Sequence, residues 1–217
     1  MRVACHPAVD DELYPASDGK PMAETQVHLA LLASLYGMLF HYFRPRGIYI
    51  AANMFLYYER VNPKARTAPD LMAIKGVDTS IKRRSFKTWE EKAKPCFILE
   101  LTSKKTAKED QNGKMELYRR LRVREYFLFD PLDEYLPQQL MGFRLSGDEY
   151  QPMALDGDGG LTSKELSLHF VPDGYDLLVS EVATGKQLLS LEDAEKRIAE
   201  LEAELARVRG SSKGRKS

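Results

Sequence analysis

The chain of 217 residues has almost no sulfur chemistry, no net charge and no long apolar run. Its two cysteines, Cys5 and Cys96, lie far apart without metal-ligand spacing, so neither a disulfide framework nor a zinc centre is indicated. Cys96 sits inside an apolar run and reads as a buried free thiol, in keeping with a reducing, cytoplasmic setting. No apolar stretch reaches the ~20 residues of a membrane span, and Met1–Pro7 lacks the apolar centre of a secretory signal. Thirty-two Lys and Arg offset thirty-two Asp and Glu, so any electrostatic footprint for a polyanion has to be local. A Gly-x-Ser-x-Gly elbow is also missing, which removes the commonest esterase and protease arrangement.

What is present is an alternation of helical and strand-like segments. After turn-rich residues 1–23, with Asp18-Gly19-Lys20-Pro21 as the clearest turn, apolar residues at helical spacing predict a helix from about Ala23 to Phe43, stopped by Pro45 and Gly47. Ile48–Tyr58 is β-rich, long enough for one bent strand or two short ones. Residues 75–94 read as an exposed basic excursion around Trp89. A helix from about Lys108 to Leu121 precedes a buried strand, Glu125–Phe129, ended by Asp130-Pro131. Residues 140–170 read as antiparallel hairpins around Ser146-Gly147-Asp148 and Asp156–Gly160. The second tract has acids spaced like a calcium loop but no closing Glu, and is a loop.

Two acids interrupt this apolar pattern. Asp70 follows Pro69 and opens the run Leu71–Ile74, while Glu100 closes Pro95–Leu99. A carboxylate at the inner end of an apolar strand needs a cation or a proton. Two that converge could hold one or two Mg²⁺, or Mn²⁺, through oxygens and water, with the Leu101 carbonyl as a further ligand. Such a site also needs a cation near the attacking water. Thr102 stands two residues past Glu100. Lys104 and Lys105 lie in the following turn, and Lys114 lies at i+4 from Asp110 with Tyr118 one turn on. Taken alone, Asp110 and Lys114 read as an ordinary exposed helix pair.

In order along the chain, Pro69-Asp70, Glu100-Leu101-Thr102-Ser103, Asp110 with Lys114 and Tyr118, Val123-Arg124-Glu125-Tyr126 and Asp130-Pro131 resemble the Uma-type "putative restriction endonuclease" family of the PD-(D/E)XK nuclease superfamily. Asp18–Thr25 and His28 look like that family's entry into its first helix, and the resemblance runs from about residue 14 to 155. It implies an α/β fold with a restriction-endonuclease-like core, a mixed sheet flanked by helices, and a Mg²⁺-dependent endonuclease acting on DNA. Matched by position, Asp70 is the first acid and Glu100 the second. Glu24 corresponds to an acid that related nucleases place on the first helix toward the metal, and His28, one turn on, could face the same cleft. Thr102 departs from the pattern by occupying the lysine slot, which makes Lys114 the candidate for the displaced lysine. That departure also keeps open a catalytically inactive descendant that binds nucleic acid or a protein partner.

Residues 75–124 carry fifteen Lys and Arg against seven Asp and Glu. Lys82-Arg83-Arg84 and Lys104-Lys105 are the candidate phosphate contacts. At the end of the chain Leu191, Ile198 and Leu205 fall seven apart, as do Ala194, Leu201 and Val208. Arg197 with Glu202 and Glu204 with Arg209 suit a parallel two-stranded coil, hence a homodimer; a helix folded back on its own domain is the alternative. The sequence therefore divides into a nuclease-like domain over 1–185, a coiled-coil helix over 186–209 stopped by Gly210, and a disordered basic tail over 210–217.

Overall fold

The computed structural model describes residues 14–15 and 25–213. Helix α1, Gln26–Phe43, is opened by Thr25, whose hydroxyl accepts from the His28 N–H at 3.2 Å. It buries Leu31, Leu32, Leu35, Leu39 and Phe43, the apolar face that the sequence spacing predicts.

A six-stranded mixed sheet forms the centre, in the order β1-β4-β6-β7-β8-β9. Its members are β1 (Ile48–Ala52), β4 (Leu71–Lys75), β6 (Pro95–Leu101), β7 (Glu125–Phe129), β8 (Leu140–Ser146) and β9 (Glu149–Pro152). Only β6 and β7 run parallel; the other neighbours are antiparallel. Two small sheets lie against it. One joins β2 (Leu56–Tyr57), β3 (Arg66–Thr67) and β5 (Phe86–Lys87). The other joins β10 (Leu161–Ser163), β11 (Leu168–Asp173) and β12 (Asp176–Glu181).

Strand alternation divides the core. Leu71, Ala73, Phe97, Leu99, Leu101, Phe127 and Phe129 pack against α1 and the β10–β12 sheet. Met72, Ile74, Ile98, Tyr126 and Leu128 pack on the opposite face with Leu56, Phe86, Tyr118, Leu121 and Val123. β4, β6 and β7 are buried on both faces, hence their nearly continuous apolar sequence.

Several elements differ from the sequence expectation. Ile48–Tyr58 splits into β1 and β2, which join different sheets. The basic excursion is not wholly exposed, because it contains β5, with Phe86 and Lys87 buried, and the short helix α2, Thr88–Glu91. The helix before β7 is composite: α3, Ala107–Glu109, a π turn over Asp110–Lys114, then α4, Met115–Arg120. Ser146–Asp148 does turn between paired strands, whereas Asp156–Gly160 links β9 to β10 in separate sheets. Its acids turn to His169, whose Nε2 lies 2.8 Å from Asp158. The last helix, α5 (Leu191–Lys213), runs past Gly210. Cys96 is a buried free thiol bonded to the Ala73 carbonyl, and burial pushes its pKa up to about 11; Cys5 lies outside the described residues. Among the described residues no helix is long and apolar enough to cross a membrane.

Candidate active site

The antiparallel register of β4 and β6 sets Leu71 opposite Leu99 and Met72 opposite Ile98. One step further along that register, Asp70 faces Glu100. The Asp70 N–H donates to Glu100 Oε2 at 3.2 Å, and the Leu101 N–H donates to Asp70 Oδ2 at 2.8 Å. Each acid is thus fixed by the backbone of the other's strand. Opposed like charges are unfavourable across a strand pair, so the pair needs positive charge.

Lys114 supplies it. Its Nζ lies 2.9 Å from Glu100 Oε2 and 2.9 Å from Asp110 Oδ1, with a side chain only 15% exposed. The pair that reads as a surface pair in isolation is therefore an inward-facing bridge, because the helix carrying it packs over the β6–β7 face. The π turn brings Asp110 and Lys114 together, and the Tyr126 hydroxyl from β7 donates to the Asp110 carbonyl at 3.0 Å. Single π turns of this kind recur at functional sites. Tyr118, on α4, donates to Glu100 Oε1 at 2.6 Å and touches Thr67 Oγ1 at 3.3 Å. His28 Nε2, from the first turn of α1, stands 3.6 Å from Asp70 Oδ1.

Burial dominates the electrostatics. It raises the Glu100 pKa to about 8, reinforced by Asp70 and Asp110 and opposed by Lys114 and Tyr118. Asp70 also pays for burial, but His28, Lys114 and the Leu101 N–H outweigh it and hold its pKa below the usual value. Burial pulls the Lys114 pKa down, yet Glu100 and Asp110 raise it further, so the ammonium persists.

Asp70 lines a cavity of about 310 Å³ at the carboxyl ends of the parallel strands β6 and β7, with Glu100 fully buried beside it. His28, Asp70, Thr102 and Lys114 line its interior, and Lys104 and Lys105, both exposed, belong to its wall. Pro131, Leu132 and Tyr135 also line the cavity, with no signal in the sequence beyond Asp130-Pro131. Asp130, fully buried, accepts the backbone N–H groups of Leu132, Glu134, Tyr135 and Leu136, which fixes that loop. An Asp at a strand end followed by a polar turn is the one local hint of such a clamp.

Arg83, expected as a phosphate contact, is instead buried. Its guanidinium is bound by Glu91 and by the Asp78 and Ile81 carbonyls and lies over the Tyr49 ring at 4.6 Å. Those partners leave its charge nothing to offer a polyanion. Lys82 and Arg84 are exposed but do not line the cavity. Glu24 lies outside the described residues. Leu101 enters the site through its N–H. A larger cavity of about 550 Å³ between β8, β9 and the Asp156 loop gathers no opposed acids.

Among the described residues no three His, Cys, Asp or Glu side chains form a metal cage. Asp70 and Glu100 suit a hard ion that takes one or two carboxylates and completes its shell with water and phosphate oxygens, as Mg²⁺ does. Burial, and after it repulsion from Asp70, raises Glu100, and a bound cation would offset both.

The model of the Uma2 family, described as "Putative restriction endonuclease", matches residues 8–176. The chain belongs to the Uma2 family. Among solved structures it is similar to one from Anabaena variabilis titled a "putative nuclease belonging to DUF820", at 13% identity and a TM-score of 0.49, over 70% of this chain and 81% of that one. No curated protein matches the sequence. The Uma2 match takes in both acids, Lys114 and the Asp130 loop, and stops short of α5.

Proposed function

We propose that this Uma2-family chain is a Mg²⁺-dependent endodeoxyribonuclease that hydrolyses phosphodiester bonds with water, Mn²⁺ serving as an alternative ion. The observation that carries this reading is the register-opposed pair Asp70 and Glu100 with Lys114 Nζ 2.9 Å from Glu100. An ion held by the two carboxylates would polarise a phosphoryl oxygen and lower the pKa of a bound water. Lys114 offsets the negative charge that grows on the phosphoryl group during attack. Asp110 holds Lys114 in place, and Tyr118 fixes the rotamer of Glu100. Lys104 and Lys105 take the phosphates on either side of the cut, without reading sequence. Lys114 also argues against an inert descendant, since it brings to the acids the charge that Thr102 cannot.

We further propose that α5 pairs with α5 of a second copy as a parallel coiled coil. Leu191, Ile198, Leu201 and Leu205 are exposed on it at heptad spacing, an apolar seam that the described residues leave uncovered.

The deciding assay presents supercoiled, linear and single-stranded DNA with Mg²⁺, with Mn²⁺ and with neither. The wild type should cut only with an ion. Asp70→Ala and Glu100→Ala should lose at least about a thousandfold in rate while keeping their circular dichroism. Full activity in both variants would refute the reading, and DNA binding without cleavage or ion binding would favour the inert alternative.

A further inference from the structure

Thr102 stands two residues past Glu100, in the slot where the resemblance implies a lysine, and its hydroxyl has a particular place in the site. It follows Glu100 by two residues, so strand alternation aims both side chains to the same side. The Thr102 N–H is tied to the Phe129 carbonyl at 2.7 Å, which fixes the residue at the end of the parallel pair. Its side chain lines the cavity although the residue is only 2% exposed. Its Oγ1 has no hydrogen-bond partner among the described residues.

A buried hydroxyl without a partner loses the hydrogen bonds that water gave it and regains none, so native proteins rarely leave one so. The polar groups around it are engaged: Glu100 by Tyr118, Lys114 and the Asp70 N–H, and Lys114 by two carboxylates. The partner of Thr102 Oγ1 has to come from the cavity. Asp70, Lys114, Lys104 and Lys105 line that cavity with Thr102, and the group that must enter it for hydrolysis is the scissile phosphate.

We infer that Thr102 Oγ1 is a substrate contact, donating a hydrogen bond to a non-bridging oxygen of the scissile phosphate. This rests on the phosphodiester reading and deepens it. The work of one slot lysine is then split between two residues: Lys114 brings the charge from the helix, and Thr102 supplies a neutral, directed donor from the strand. A β-branched side chain suits the task, since its χ1 is restricted and its hydroxyl is held in place before the substrate arrives.

The test is single-turnover cleavage by wild type, Thr102→Val and Thr102→Ser of an oligonucleotide carrying either an ordinary linkage or one of the two phosphorothioate diastereomers at the cut. Valine keeps the shape and removes the donor. It should slow cleavage of the ordinary linkage by about ten- to a hundredfold, while serine retains most of the rate. The loss should shrink for the diastereomer whose sulfur, a poor acceptor, replaces the contacted oxygen. An unchanged rate with valine, or the same loss on all three linkages, overturns the assignment. If the wild type cuts no nucleic acid, the phosphodiester reading fails separately, and binding decides Thr102. Weaker oligonucleotide binding by Thr102→Val than by wild type then sustains the contact, and equal binding removes it.

Discussion

Burial raises both Glu100 and Asp70, yet only at Asp70 do the partners outweigh it, and that asymmetry has a measurable sign. Glu100 has its pKa raised from 4.5 to about 8, so the folded state binds a proton that the unfolded chain releases above pH 4.5. Its contribution to stability is fully present below that value and is lost as pH rises toward 8. Asp70, held low, contributes above its ordinary value of 3.8 and loses that contribution on acidification. Urea unfolding of the ion-free protein should therefore show stability declining between about pH 4.5 and 8, and Glu100→Gln should flatten that slope. Lys114→Met should lower the cleavage rate by about a hundred- to a thousandfold with little change in oligonucleotide affinity, as measured under single-turnover conditions. Most of these residues were legible in the sequence, because an acid ending an apolar strand and a lysine at i+4 from an aspartate are local patterns. Arg83 was not: its burial depends on Glu91 and Tyr49, which no local pattern ties to it. Tyr135 was also hidden, because its place on the wall follows from the Asp130 clamp.

At the scale of elements, strands and the first helix were readable from period and punctuation, whereas connections between sheets were not. Glu125 shows why. It reads as the first residue of a buried strand, yet its carboxylate meets Arg144 at 2.9 Å, the Lys164 N–H at 3.0 Å and the Ser163 hydroxyl, and so fastens the central sheet to the turn after β10. Glu125→Ala should cost about 2–4 kcal/mol in chemical denaturation, since it strands several buried donors at once. The π turn was equally invisible, since an Asp–Lys spacing of four suits a regular helix as well. For α5 the heptads were plain, but the single chain leaves their partner open. Ile198→Lys with Leu205→Lys should convert a dimer to a monomer in light scattering without altering cleavage per site. A monomeric wild type would remove the coiled coil from the proposal.

For the molecule as a whole, the sheet order explains why the site lies where it does. β6 and β7 are the parallel neighbours, so their carboxyl ends share one edge, and antiparallel β4 delivers Asp70 to that same edge. Loops after β6 and β7 then both line the cavity without any long insertion. The overall charge of zero conceals this arrangement. Only the order of strands brings Asp70 and Glu100 to one edge of the sheet, where Lys104 and Lys105 line the same cavity as Asp70.

Lys104 and Lys105 are exposed whereas Glu100 is buried, and that difference bears on timing. On the proposed reading a polyanion would first meet the exposed lysines, and its phosphate would then approach Asp70, Glu100 and Asp110, offset by Lys114 and by His28 beside Asp70. Under the proposed function, capture and commitment would then be separate events with different ionic requirements. With a chelator present, oligonucleotide binding should persist and weaken steeply with monovalent salt, while cleavage stops. Restoring the ion to the preformed complex should start the reaction from strands already in place. The pocket would then act as a waiting room, in which the ion sets when a cut begins and the lysines set which strands are held ready for it.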